Sequence, residues 1–86
     1  MQIMSSYNVT REAAGICERA IQNDLFSPHG EDSDGRHLLE IRSAERAYIA
    51  VVQVTDGPFG RDLLITAAYE VAPAGVPALV KNLKEI

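Results

Sequence analysis

The sequence predicts an α+β domain. It would be a three-stranded antiparallel meander, or four-stranded with an added N-terminal edge strand, with an N-terminal and a short C-terminal helix on one face. Three observations carry this expectation. Apolar residues recur at helical spacing between Ala13 and Ile21. Two later stretches, Tyr48–Val54 and Leu63–Tyr69, are apolar on both faces and rich in β-branched and aromatic residues. The segments joining the strand-like runs are so short that they can connect only antiparallel neighbours.

Each element has its own grounds. Thr10 is placed to cap a helix, its hydroxyl accepting from backbone N–H groups in the first turn, and Glu12 suits the positive end of the dipole. Ala13, Ile16, Cys17, Ala20 and Ile21 form the apolar stripe of that helix, which should end near Asn23 and Asp24. Ser27 to Gly35 is polar and glycine-rich and reads as the longest loop. Strands are expected at His37–Arg42, Ala47–Thr55 and Asp62–Val71, and a second helix after Pro77, where Val76, Leu79, Val80 and Leu83 recur at helical spacing. Gln2–Val9 offers an additional edge strand.

Alternation assigns the faces. Pairing Arg42 with Ala47 sets Ile41 opposite Tyr48, Leu39 opposite Ala50 and His37 opposite Val52. Pairing Thr55 with Asp62 sets Val52 opposite Ile65, Ala50 opposite Ala67 and Tyr48 opposite Tyr69. This apolar set is the inner face, under the helices. The outer face then carries Leu38, Ile49, Val51 and Leu64, bordered by Arg36, Glu40, Arg42, Gln53 and Thr66. An apolar centre with a polar rim is the anatomy of a contact surface, so Leu38, Ile49, Val51, Gln53, Leu64 and Thr66 are the candidate interface, with Phe59 at a hairpin tip as an added anchor.

Eighty-six residues make one domain, 1–86. Twelve acidic side chains against eight Lys and Arg give a net charge of −4, which argues against binding a phosphate backbone. A single cysteine, Cys17, excludes an intrachain disulfide, and no leader or membrane-length apolar run is read, so a cytoplasmic location is expected. His29 and His37 flank the acids Glu31, Asp32 and Asp34, but their spacing fits neither an EF-hand nor a zinc site; no metal and no cofactor is expected. Gly57-Pro58-Phe59-Gly60-Arg61 joins two strands, whereas a phosphate-cradling loop opens a helix. Among possible catalytic groups, Glu40 beside Arg36 and Arg42 can act as a base next to an anion clamp, although mutual neutralisation on a solvated strand explains the same cluster.

A helix, a loop and an antiparallel meander closing on Leu63-Leu64-Ile65-Thr66-Ala67-Ala68-Tyr69 resemble the barnase/colicin/RelE-type ribonuclease toxin superfamily over roughly residues 12–71. The resemblance implies RNA cleavage on the exposed sheet face, with Arg36, Arg42 and Thr66 at the matching positions. The chain departs from that pattern in being acidic and in lacking an early His-Ala-x-x-Arg segment. The reading preferred from the residues is a small non-enzymatic interaction domain, of the inhibitor, immunity or regulatory type found in bacteria or phage, whose outer sheet face meets a protein partner or a second copy in a homodimer. The alternative is the toxin-like ribonuclease, with Arg36, Glu40, Arg42 and Thr66 as its catalytic set.

Overall fold

The computed structural model describes residues 2–43, 46–58 and 60–71. The expected C-terminal helix and Phe59 lie outside the described residues. In chain order the elements are β1 (Gln2–Ser5), α1 (Arg11–Gln22), β2 (Ser27–Glu31), β3 (His37–Ser43), β4 (Arg46–Gly57) and β5 (Gly60–Val71).

The strands form one five-stranded sheet in the order β1-β5-β4-β3-β2. This corrects the expected three- or four-stranded antiparallel meander with two helices: the described residues contain five strands and one helix, and β1 runs parallel to β5. β1 falls within the added edge strand offered at Gln2–Val9, but its parallel pairing with β5 was not expected, and β2 was read as loop; one reason covers both. Each owes its conformation to the edge it joins, so neither needs a strong pattern of its own. β2, Ser-Pro-His-Gly-Glu, has no apolar alternation at all, yet Ser27 pairs Glu40 and Pro28 pairs Leu39 on β3 before a register shift.

α1 starts at the predicted place. Thr10 holds an extended conformation (φ −62°, ψ 152°), and its Oγ1 accepts from the Ala13 N–H at 3.2 Å. At the far end the Asn23 side chain donates to the Arg19 carbonyl at 2.8 Å, alongside the Asn23 backbone N–H, which reaches the same oxygen at 3.2 Å. Ala13, Cys17, Ala20 and Ile21 are buried against Leu39, Ile41, Tyr48, Ala50, Val52 and Ile65. All six belong to the inner face that alternation assigns, whereas Ala67, also assigned there, packs against the opposite cluster.

Register follows expectation along β3–β4, where Arg42 meets Ala47 and His37 meets Val52. Along β4–β5 it holds from Thr55↔Asp62 to Val52↔Ile65 and then shifts, so that Val51 meets Ala67, Ile49 meets Tyr69 and Tyr48 meets Glu70. Thr66 is the extra residue. A bulge adds one residue to one strand, and every side chain beyond it moves to the opposite face. Tyr69 therefore lies on the outer face, and the expected Tyr48–Tyr69 pair does not form. The Tyr48 hydroxyl is instead 3.3 Å from Oε2 of Glu70.

Candidate interaction surface

The outer face is not bare. Leu38 and Ile49 are 0% exposed and Val51 5%, and with Ala47 they make a second buried cluster against which Ala67 and Val71 pack. Of the four residues expected to form an exposed apolar patch, Leu38, Ile49 and Val51 are sealed within the chain and Leu64 is half-buried. The expectation placed both helices on one face of the sheet and left the other open, and the open face fails here. β4 is buried over six consecutive positions, Ala47 to Val52, which means both faces.

What stays open lies toward β1 and β5. Gln53 is exposed, Leu64 and Thr66 are half-buried, and Tyr69 is 44% exposed. The Thr66 hydroxyl donates to the Val51 carbonyl at 3.1 Å, tying the bulge to β4. The 32–36 turn reaches this strip: Asp34, Arg36, Val51, Thr66 and Tyr69 line one hollow of about 230 Å³. Asp32 builds the turn, its Oδ1 accepting from the Asp34 and Arg36 N–H groups, both at 2.9 Å. Among the described residues Arg36 makes one long ionic contact, 3.9 Å to Asp34. Tyr69 was missed by the sequence reading because a bulge leaves no mark in hydrophobic alternation.

The four residues of the alternative catalytic set separate into two pairs. Arg36 and Thr66 share the hollow just described, whereas Glu40 and Arg42 line another, beside Asp24, Leu25 and Ser27. There, Glu40 accepts from the Arg42 Nε and pairs at 2.8 Å with Nε2 of His29 from β2. The hydrogen bond from Arg42, then that from His29, hold the Glu40 carboxyl below its ordinary value of 4.5. A carboxylate so stabilised is a weak proton acceptor and a strong tether, and here it fastens β2 to β3. His37, expected among packed side chains, is exposed at the start of β3.

Cys17 sits on the buried face of α1 at 0% exposure. Burial, reinforced by the nearby Glu18 charge, pushes its thiol up to about 11. At neutral pH it is a protonated, packed side chain and not a nucleophile. No helix among the described residues is long and apolar enough to cross a membrane.

Compared with protein-family models, curated proteins and solved structures, the chain matches none.

Proposed function

We propose that the chain is a non-enzymatic protein-interaction domain of inhibitory or regulatory type, and that it binds its partner through the open strip formed by Gln53, Leu64, Thr66 and Tyr69 with Arg36 at its end. The observation that carries this reading is the meeting of a half-exposed tyrosine and an arginine around one hollow. Tyr and Arg dominate the energetics of protein interfaces because they combine large contact area with fixed hydrogen-bonding geometry. The chemistry of the partner follows from charge. Asp32 and Asp34 line the hollow with Arg36, and the chain carries −4 overall, so a segment presenting a basic residue beside an apolar one fits the strip.

The test begins with crosslinking in the native host and mass-spectrometric identification of the partner. Binding is then measured with both proteins purified. Tyr69→Ala is expected to weaken the complex by about tenfold or more while the melting temperature holds. Unchanged affinity in that variant overturns the assignment of the strip. Degradation of RNA by the purified chain, lost in Arg36→Ala, overturns the non-enzymatic reading and favours the ribonuclease alternative.

A further inference from the structure

The two edges of the sheet differ in a way that bears on self-association. At the β2 edge, Pro28 lacks an N–H, Gly30 adopts φ 95°, the register shifts between Pro28 and Glu31, and Glu31 adds a charge. These are the devices by which natural sheets discourage pairing with another strand. The β1 edge has none of them. Gln2-Ile3-Met4-Ser5 is uncharged, contains neither Pro nor Gly, and among the described residues ends the sheet beyond β5.

The direction of its backbone groups can be read off. The Ser6 N–H donates to the Ile65 carbonyl at 2.9 Å. Hydrogen-bonding direction alternates along a strand, so Met4 also faces β5, while Ile3 and Ser5 turn their N–H and C=O groups away from the sheet. Side chains follow the second alternation. Ile3 packs against the inner core and Ser5 Oγ donates to Oε2 of Glu18 on α1 at 2.7 Å, whereas Met4 projects from the outer face, 45% exposed.

We propose that β1 pairs antiparallel with β1 of a second copy about a two-fold axis at Met4, joining two five-stranded sheets into one. Ile3 then meets Ser5 of the second copy as a hydrogen-bonded pair, and Ser5 meets Ile3, using the backbone groups the edge leaves open. Met4 meets Met4 as the non-hydrogen-bonded pair between them, where side chains come closest. A second copy is the occupant because this register is self-complementary: it sets the exposed apolar side chain against itself and brings no charge of the strand against a like charge. Four-residue strands bury less than the roughly 1,200 Å² of a standard interface, so the dimer is weak and concentration-dependent. Each copy carries −4, so added salt tightens it. The proposal does not rest on the partner strip described above, which Met4 adjoins at Leu64.

Light scattering across a concentration series tests it. The wild-type mass should rise from 9.4 kDa toward twice that value as concentration increases. Met4→Lys should hold the mass at that of one chain over the same range, with circular dichroism unchanged, since it puts two cations at the axis; Met4→Thr, which keeps strand propensity, should weaken association in the same direction. Tyr69→Ala should leave the dimer intact. A wild-type mass that stays at 9.4 kDa throughout overturns the proposal, as does a dimer that persists in both Met4 variants or is lost in Tyr69→Ala.

Discussion

β4 and β1 belong to one sheet and meet opposite surroundings. β4 runs through six buried residues in a row, and both of its faces are packed. No residue of β1 is fully buried, and its apolar side chains divide between Ile3, turned to the core, and Met4, turned to solvent. The same kind of side chain therefore does different work at the two places. In β4 it removes area from water and holds the fold together. In β1 it removes little area within one chain and becomes available to another.

The sharpest way to break this contrast is to truncate the centre on each face in turn. Ile65→Ala on the inner face and Ile49→Ala on the outer face should each cost about 2–5 kcal/mol by denaturant unfolding, because both side chains are 0% exposed. A cost near zero for Ile49→Ala would mean the outer cluster contributes no more than a solvated face. Next in size is the fastening of β2. Glu40→Gln should cost about 1 kcal/mol, the scale of a charge-assisted hydrogen-bond pair at a partly exposed site. The sign with pH follows from the lowered carboxyl. Glu40 stabilises the fold above its ordinary value of 4.5 and loses that contribution as pH falls through its lower folded value, so the wild-type advantage over Glu40→Gln should shrink below that point. Thr10→Ala, which removes the cap of α1, should cost about 1 kcal/mol, read from the melting temperature. Met4→Lys should change the stability of the single chain least, within about 0.5 kcal/mol, because a surface substitution disturbs no packing. Cys17 should resist thiol reagents in the folded protein at neutral pH and react on unfolding; fast reaction with the native chain would contradict its burial.

How far the sequence reaches depends on whether a residue's environment is set locally. α1 was legible because Thr10 and the Ala13, Cys17, Ala20, Ile21 stripe act within a few turns of one another. β3 and β4 were legible because a short hairpin fixes their register and both strands alternate. Beyond Val52 the account fails at one residue: the bulge at Thr66 moves Tyr69 outward and Glu70 inward, and no local pattern announces it. The pairing of β1 beside β5 joins residues some sixty positions apart, and β2 borrows its conformation from β3, so neither could be seen in periodicity. As to the site, Thr66, Gln53 and Leu64 were placed on the outer face from alternation, whereas the burial of Leu38, Ile49 and Val51 follows from coverage of both faces, which alternation does not report.

The contrast between an open edge and a guarded one is tested most directly by oxidation of two single-cysteine-addition variants, with Cys17 buried and out of reach in both. In the proposed register the Cα atoms of the central pair stand about 4.5 Å apart, within disulfide range. Met4→Cys should therefore convert to a covalent dimer under mild oxidant, whereas Ser27→Cys, on the β2 edge, should remain a single chain. Equal crosslinking of the two variants, or none by Met4→Cys at concentrations where the wild-type chain associates, would contradict the account.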